Sequence, residues 1–130
     1  MNKILSRLLL VITLLTHALV ASAADGPPKS FSLPELGVDQ EMLILEVNLE
    51  PSQASAPHRH NAHVFVYVLE GQINMQVEGG EMVTLSPGEM FYEDPDSVHT
   101  VSANASDTET AKFLVHMLRT AGTQVSIPVE

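Results

Sequence analysis

Apolar side chains recur at every second position along the chain from Phe31 onward, an alternation typical of half-buried β-strands. The clearest case is the segment 72–77, in which Gln or Asn alternates with Ile, Met and Val. This part of the chain lacks the repeat of an amphipathic helix. The pattern predicts eight short strands, at Met42–Leu49, Val64–Leu69, Ile73–Val77, Met82–Leu85, Met90–Glu93, Val98–Ser102, Lys112–Leu118 and Gln124–Val129. Short strands at regular spacing indicate an all-β sandwich or barrel.

Turn-forming residues separate these strands. Gly79-Gly80 predicts a hairpin, because both glycines can take a positive φ. Ser86-Pro87-Gly88-Glu89 predicts a type II turn, with Pro at the second position and Gly at the third. We therefore expect one closed or nearly closed barrel from about Phe31 to Val129, an architecture that can enclose one small ligand.

The first 23 residues have the pattern of a secretory signal peptide. Lys3 and Arg7 precede the apolar run Leu8–Val20, and Ala21-Ser22-Ala23 provides a cleavage site. The apolar run is shorter than the about 20 residues that a transmembrane helix needs. We expect cleavage after Ala23, a periplasmic or secreted protein, and no membrane attachment after cleavage.

Residues 24–30 contain two consecutive prolines, which prohibit a helix, and they predict a flexible leader before a barrel domain of residues 31–130. The whole chain of 130 residues carries 16 acidic and 6 basic side chains, and this negative charge argues against nucleic-acid binding. The absence of cysteine excludes disulfides, cysteine-ligated zinc and a cysteine nucleophile. A small exported domain without disulfides must be stabilised by packing, by a bound metal or by oligomerisation.

Histidines are the main candidates for chemistry. Those that follow residue 23 are His58, His60, His63, His99 and His116. On an extended strand the side chains of His58 and His60 point to the same face, which places two imidazoles side by side, as a metal ion requires. Neutral imidazole suits zinc, copper, iron and nickel. For this pair alone, the alternative is a surface loop that happens to be rich in histidine.

Further segments strengthen the metal interpretation. Pro57-His58-Arg59-His60 precedes Tyr67-Val68-Leu69-Glu70-Gly71, and Pro87-Gly88-Glu89 precedes His99. In this order they closely resemble the two motifs of the cupin superfamily, G-x5-H-x-H-x3,4-E-x6-G and G-x5-P-x-G-x2-H-x3-N, over residues 42–118. The resemblance implies a single-domain cupin, a double-stranded β-helix or jelly-roll barrel. It also implies that His58, His60 and His99 bind one divalent transition metal, which can be Fe, Mn, Ni, Zn or Cu.

The chain departs from these motifs at the metal ligands. Val64 occupies the position of the usual glutamate ligand, and the turn before His99 reads Asp94-Pro95-Asp96-Ser97 without the usual glycine. Glu93 could replace the lost ligand, because strands that flank a turn bring side chains within about 5 Å of each other. His63 is a second candidate, although its strand parity differs from that of the HxH pair. A site of three histidines with open positions is the third alternative, and catalysis needs open positions.

Three further roles follow from the positions of these residues. Glu93 could act as a general base instead of a ligand. Tyr92, beside Glu93, could orient a substrate. His116 lies in an apolar strand, where a histidine is more often a packed residue than a ligand, so we expect a supporting role at most.

The resemblance implies a metal-dependent enzyme, an oxidoreductase of the dioxygenase type, an isomerase or a decarboxylase, that acts on a small molecule. The alternative is a non-catalytic cupin that binds a sugar or another small ligand, or that serves as a sensor. Cupins commonly dimerise through edge strands or an exchanged N-terminal strand. We therefore expect a homodimer, in which the segment Phe31–Leu36 could cover a strand edge of the partner.

Overall fold

The computed structural model describes residues 29–129, which form ten β-strands and one short 3-10 helix, Pro34–Leu36. The strands are β1 (Lys29–Ser32), β2 (Gln40–Leu49), β3 (His58–Arg59), β4 (Ala62–Glu70), β5 (Ile73–Val77), β6 (Val83–Leu85), β7 (Met90–Glu93), β8 (Val98–Asn104), β9 (Ala111–Thr120) and β10 (Ile127–Pro128). The predicted signal peptide and residues 24–28 of the predicted leader lie outside the described residues. Within residues 29–129, no helix has the length and apolar character needed to cross a membrane.

The strands form two five-stranded antiparallel sheets. Sheet A has the order β1-β2-β9-β4-β7, and sheet B has the order β10-β3-β8-β5-β6. The chain passes back and forth between the sheets, so most neighbouring strands are distant in sequence, as in a jelly roll. The prediction of an all-β jelly-roll fold is confirmed.

The core lies between the two sheets, because each long strand turns alternate residues inward. Along β4, residues Ala62, Val64, Val66 and Val68 are buried, whereas the residues between them are more exposed. Branched apolar side chains pack well on such a pleated surface. Both sheets contribute to the buried cluster, which contains Leu43, Leu49, Ala62, Val64, Val66, Val68, Ile73, Met75, Leu85, Ala111, Phe113, Val115 and Met117.

Cross-strand pairing sets the ends of the strands. The predicted strands Ile73–Val77 and Met90–Glu93 agree with β5 and β7 at both ends. The predicted strand Lys112–Leu118 is longer in the structure, because β9 pairs with β2 along its whole length from Ala111 to Thr120. The alternation of apolar residues therefore locates the strands, and the partner strand determines where each one stops.

The first and last strands were harder to predict. β1 begins at Lys29, inside the segment 24–30 that the prolines predict to be a leader, and it pairs with β2. Within the predicted last strand, Gln124–Val129, only Ile127–Pro128 is a strand, β10. β3 has two residues, which are too few for an alternating pattern to predict.

The register of the strands defines two ends of the barrel. In sheet A, Arg119 lies opposite Glu41 on one side and Ala62 on the other, and Glu93 lies opposite Val64. We call the end that carries Glu41, Arg119, Glu93 and, in sheet B, His99 the site end.

The opposite end of the barrel, which we call the far end, carries Leu49, Gly71, Asn104 and Ala111. Gly71 has a φ of 69°, and a Cβ atom at this position would lie 2.5 Å from the carbonyl oxygen of Thr110. Only glycine takes this backbone conformation without strain and leaves room for Thr110. This close approach is the physical reason for the glycine that ends the first motif.

Candidate metal centre

Three histidine rings converge at the site end of the barrel. His58 in β3 lies opposite His99 in β8, and their rings stack with centroids 5.1 Å apart. The ring of His60, directly after β3, lies 4.8 Å from that of His58 and 5.6 Å from that of His99. The short strand β3 therefore brings the HxH pair against the later histidine.

The turn between β7 and β8 is fixed to the HxH segment by the backbone. The N–H group of Asp96 donates to the carbonyl oxygen of His60 at 2.8 Å, and Ser97 N–H donates to Asp94 O at 3.1 Å. Asp96 has a φ of 65° in this turn, where the motif has glycine. Aspartate adopts this left-handed conformation more readily than most residues, so the turn forms without glycine.

Glu93 supplies a carboxylate from sheet A to this group of histidines. Its Oε2 atom contacts His99 Nε2 directly and lies 3.8 Å from His60 Nε2. Glu93 lies directly opposite Val64 in the β4–β7 pair, so both side chains point into the barrel. The carboxylate is thus displaced by one strand from the motif position that Val64 occupies.

Backbone carbonyls fix the orientation of two rings. His58 Nδ1 lies 2.8 Å from the carbonyl oxygen of Ala56, and His60 Nδ1 contacts that of Val125. A carbonyl oxygen only accepts hydrogen bonds, so both Nδ1 atoms carry a proton, and in the neutral form of each ring Nε2 is left with a lone pair. Histidines that ligate metals use the same arrangement, in which the second ring nitrogen donates to a backbone carbonyl or carboxylate.

The cluster of His60, Glu93 and His99 contains buried polar atoms that the described residues leave unsatisfied. Each of the three offers one ligand atom, and these atoms lie within 4.8 Å of one another. Glu93 Oε2 and both ring nitrogens of His99 lack a hydrogen bond of acceptable geometry, although Oε2 and Nε2 touch. An unpaired buried donor or acceptor costs about 1–3 kcal/mol. A cation between these atoms would remove that cost, so the residues present fit a divalent metal ion.

Burial also controls the protonation of His60. Burial lowers the pKa of His60 below its usual value of 6.5, and the nearby rings of His58 and His99 lower it further. The hydrogen bond to Val125 and the charge of Glu93 raise the pKa without cancelling the effect of burial. The ring is therefore neutral at pH 7, as metal binding requires.

Three residues of the sequence-based site, His58, His63 and Tyr92, lie outside the cluster of His60, Glu93 and His99, although the His58 ring stacks on that of His99. His63 is exposed on the outer face of sheet A, where its Nδ1 lies 2.7 Å from the hydroxyl of Tyr92. That hydroxyl donates to Asp94 at 3.0 Å. His63 and Tyr92 are each one position away from an inward-facing neighbour, Val64 or Glu93, and strand alternation turns them outward. His63 is therefore not placed to ligate an ion at the cluster, and Tyr92 is not placed to orient a substrate there.

His116 also lies on the outer face, opposite Ile44 and Phe65. Its position does not support a role at the cluster. Sequence analysis missed Val125, whose carbonyl holds His60, and Arg119, which is buried at the same end of the barrel. The inward orientation of Arg119 could have been predicted from the sequence, because Arg119 is two residues after Met117 on the same strand and alternate residues face the same side.

Comparisons with known proteins agree with this architecture. A profile of the cupin domain matches residues 45–117, which is more than half of the chain. No curated protein is similar enough in sequence to count as a match.

Several solved structures share the fold at low sequence identity. The polyketide cyclase RemF from Streptomyces resistomycificus is 20% identical with a TM-score of 0.59, over 85% of this chain and 80% of the cyclase. The DMSP lyase DddQ from Ruegeria pomeroyi is 17% identical with a TM-score of 0.61, over 72% of this chain and 45% of the lyase. A deletion variant of Bacillus subtilis oxalate decarboxylase is 16% identical with a TM-score of 0.62, over 84% of this chain and 30% of the decarboxylase. This chain thus spans less than half of the lyase and of the decarboxylase. Together with the profile match, the shared fold shows that this chain belongs to the cupin family.

Proposed function

We propose that this cupin binds one divalent transition-metal ion and acts as a metal-dependent enzyme on a small molecule. The observation that carries the proposal is the buried cluster of His60, Glu93 and His99, whose ligand atoms lie within 4.8 Å of one another. The unsatisfied atoms Glu93 Oε2 and His99 Nε2 favour a cation at this position.

The donor set indicates the class of ion. Imidazole and carboxylate ligands together suit Fe, Mn, Ni, Zn and Cu. His60, Glu93 and His99 would hold the ion, and His58 would join them through its Nε2 atom. When bound, the ion would supply Lewis-acid or redox chemistry to a small molecule.

The protein's own groups prepare the site for this role. The carbonyls of Ala56 and Val125 hold the rings of His58 and His60 with their Nε2 lone pairs available. The Glu93 carboxylate is only 3% exposed, so its charge acts in a medium of low dielectric constant, where electrostatic interactions are strong. Glu93 could therefore accept a proton from a substrate as well as ligate the ion.

The proposed reaction classes are those of a dioxygenase, an isomerase or a decarboxylase. The similar structures are named as a cyclase, a lyase and a decarboxylase, which supports small-molecule chemistry on this fold. A cupin that binds a sugar or another small ligand without turnover is the alternative.

Elemental analysis of protein purified without a histidine tag tests the metal site directly. We expect about one equivalent of a divalent transition metal per chain. Loss of a residue that hydrogen-bonds a metal ligand weakens metal binding by about 10–100-fold. Loss of the ligand itself should cost more, so we expect His60→Ala to weaken metal binding by more than about a hundredfold. His63→Ala is the matched control and should leave metal content unchanged. Equal metal content in wild type and His60→Ala would contradict the site.

Glu93→Gln tests the replacement ligand, because it keeps the size of the side chain and removes its charge. We expect weaker metal binding in this variant. A variant that binds metal as tightly as wild type would exclude Glu93 as a ligand and leave a site of three histidines. Screening small molecules with the identified metal then separates an enzyme from a binding protein, since only an enzyme releases a changed product.

We also propose that the protein is exported to a bacterial periplasm or secreted. The support is the order of Lys3, Arg7, the apolar run and Ala21-Ser22-Ala23. N-terminal sequencing of the native protein should begin after Ala23. A native protein that still begins at Met1 would contradict export through a cleaved signal peptide.

The proposed homodimer has support from the outer face of sheet A, which carries many apolar side chains among polar ones such as Glu46, His63, Lys112 and His116. The side chains on this face include Phe31, Met42, Ile44, Phe65, Tyr67, Met90, Tyr92, Leu114 and Leu118. Exposed apolar surface of this kind marks interaction sites. β1 pairs with β2 of its own chain, so an exchange of β1 is not needed to cover this edge of β2.

Light scattering tests the dimer. We expect the mass of a dimer for wild type and that of a monomer for the double variant Tyr67→Lys/Met90→Lys, because two buried lysines in each subunit would be unpaired at the interface. Met82→Lys is the control, since Met82 is as exposed as Met90 and lies outside sheet A. A wild-type monomer would contradict the dimer.

A further inference from the structure

Arg119 is a buried cation at the site end of the barrel. It is 6% exposed and occupies the inward-facing position of β9 that follows Met117. Its cross-strand neighbours are Glu41 on β2 and Ala62 on β4. Arginine is almost never fully buried without partners, so its hydrogen bonds need to be accounted for.

The guanidinium group of Arg119 has five N–H donors, and its neighbours satisfy only some of them. Nη2 donates to the carbonyl oxygen of Thr123. Nε lies 3.1 Å from Glu41 Oε1 and forms an ion pair with it, but the geometry is not that of a hydrogen bond. Nη1 is buried and no described residue accepts a hydrogen bond from it. The contacts with Glu41 and Thr123 give Arg119 a role in holding the turn after β9. They do not explain why Nη1 is buried without a hydrogen-bond acceptor.

The backbone register places Arg119 close to the metal cluster. In sheet A, Met117 on β9, Val64 on β4 and Glu93 on β7 lie side by side in one row. Arg119 lies on β9, two residues beyond Met117, and β4 separates β9 from β7. With strands about 4.8 Å apart and a rise of about 3.4 Å per residue, the backbones of Arg119 and Glu93 are about 12 Å apart. Both side chains point into the barrel, so the guanidinium group and the Glu93 carboxylate lie in the interior at the same end.

A second route through the structure gives the same proximity. Arg119 donates to the carbonyl oxygen of Thr123, and His60 contacts that of Val125. Thr123 and Val125 are two residues apart, so their carbonyls are at most about 7 Å from each other. One short segment thus holds the guanidinium group and a ring of the cluster.

We propose that Nη1 of Arg119 binds the carboxylate group of a small-molecule ligand whose other end lies at the His60–Glu93–His99 cluster. The proposal rests on the proposed function only for the position of that other end. Arg119 acts as a binding residue that fixes the orientation of the ligand.

The surroundings favour a carboxylate over other anions. The planar guanidinium group matches the geometry of a carboxylate, and charge-assisted hydrogen bonds of this kind are the strong ones. Glu41 lies beside Nε, and Glu93 lies at the cluster. These two negative charges repel a doubly charged phosphate more strongly than a singly charged carboxylate.

Binding requires a small movement, because Nη1 is shielded from solvent. The segment 121–126 bears the Thr123 carbonyl and is mostly exposed. The carbonyls of this segment hold Arg119 through Thr123 and His60 through Val125. We expect the ligand to enter by displacing the Thr123 carbonyl from Arg119, while the contact between Val125 and His60 is kept.

Nuclear magnetic resonance of ¹⁵N-labelled arginine side chains tests the site in the mature protein. The described residues contain two arginines, Arg59 and Arg119, and Arg59 is an exposed internal control that is paired with Asp96. We expect acetate to shift the Arg119 signals with saturation, about tenfold more tightly than it affects Arg59, and acetamide to have no effect. An Arg119 response no stronger than that of Arg59 would overturn the proposal.

Thermal unfolding with and without acetate separates ligand binding from a purely structural role. Acetate should raise the melting temperature of wild type, because it binds the folded state. Arg119→Gln should weaken acetate binding by about tenfold or more, whereas Arg59→Gln should retain it. If Arg119→Gln does not fold, Arg119→Lys keeps the charge and removes the planar group. A variant that loses the same stability with and without acetate would show a structural role only and overturn the proposal.

Metal content distinguishes the failure of this proposal from that of the proposed function. Arg119→Gln should bind metal like wild type, because Arg119 is not a ligand. If wild type took up no metal and acetate still shifted Arg119, the proposed function would fail and the Arg119 site would stand. If metal bound and acetate left Arg119 unmoved, only the Arg119 site would fail. Tighter binding of inorganic phosphate than of acetate would overturn the assignment to a carboxylate.

Discussion

The two ends of the barrel treat buried polar groups in opposite ways. At the far end, the side-chain amide of Asn104 donates to the carbonyl oxygens of Leu49, Glu50 and Glu109 within 3.1 Å, and its oxygen accepts from Ser106 N–H. At the site end, Glu93, His99 and Arg119 are as buried as Asn104 but retain unsatisfied atoms.

This difference separates stability from function within one small domain. Buried polar groups in folded proteins are normally hydrogen-bonded, and Asn104 follows that rule by closing a loop with its amide. Glu93, His99 and Arg119, which lie in one region at the site end, all have buried polar atoms without hydrogen bonds. Each such atom lowers the stability of the fold until a ligand satisfies it. Apolar packing at the far end, where Leu49 and Ile73 are fully buried, offsets that cost.

Gly71→Ala should give the largest loss of stability, because at the far end the backbone of Gly71 packs closely against Thr110 and Ala111. A Cβ atom would lie 2.5 Å from the Thr110 carbonyl and 2.9 Å from Ala111 Cα, and the φ of 69° would add strain. We expect a loss of about 3 kcal/mol or more in the free energy of unfolding, measured in urea.

Gly79→Ala is the matched control for this prediction. Gly79 has a similar φ of 77°, but nothing lies within 4 Å of its added Cβ. We expect a loss of about 1 kcal/mol from backbone strain alone. Equal losses in the two variants would show that the contact with Thr110 is unimportant.

Asn104→Ala should have the next largest effect on stability and none on metal content. It removes the donor from one buried carbonyl, that of Leu49, and from the partly buried carbonyls of Glu50 and Glu109, and we expect a loss of about 2–3 kcal/mol. Asn74→Ala, in which the lost hydrogen bond to Thr84 is exposed, should cost about 0.5 kcal/mol or less. A change in the metal content of folded Asn104→Ala would break the separation between the two ends.

Glu93→Val should show the reverse behaviour, with strong loss of metal binding and little loss of stability. In the metal-free protein Glu93 Oε2 already lacks a hydrogen bond of acceptable geometry, so an apolar residue removes a buried unsatisfied acceptor. The metal-free variant should therefore unfold at the same urea concentration as metal-free wild type or higher. Elemental analysis and urea unfolding of the two metal-free proteins check both parts. A less stable variant would place Glu93 among the groups that hold the fold.

The double variant Val64→Glu/Glu93→Val sharpens this test. Val64 and Glu93 are directly opposed, and such pairs have Cβ atoms about 4.5–5.5 Å apart. The exchange moves the carboxylate back to the motif position, and we expect part of the metal affinity that Glu93→Val loses to return. No recovery in a folded double variant would show that the position on β7 is essential.

The sequence predicted the far end better than the site end, for physical reasons. Glycines, prolines and alternating apolar residues act locally, so Gly71 and the strand Ile73–Val77 could be located from their neighbours alone. The alternation could not show which side of Val64–Leu69 faces the core, because every residue of that run is apolar. Cross-strand pairing decides this, and it places Phe65 and Tyr67 on the outer face.

The candidate site depends on pairing between distant strands, and only part of it was predictable. The motif resemblance led to His58, His60 and His99, and the turn before His99 led to Glu93. The Val125 carbonyl comes from a segment without a pattern, and the partners of Arg119 lie on two other strands. Neither contact leaves a signal in one sequence.

The smallest expected effect is a pH dependence that belongs to the site end. Burial lowers the pKa of His60 in the folded, metal-free protein below 6.5, its value in the unfolded chain. As the pH falls through 6.5, the unfolded state binds a proton that the folded state still excludes, so the free energy of unfolding falls. This contribution is fully present above pH 6.5 and is lost as the pH approaches the lower pKa of the folded state. Urea unfolding of metal-free wild type and His60→Gln at a series of pH values isolates it, because other titrating groups are common to both proteins. We expect wild type to lose more stability than His60→Gln on acidification, and parallel pH profiles would show that the His60 ring does not resist protonation.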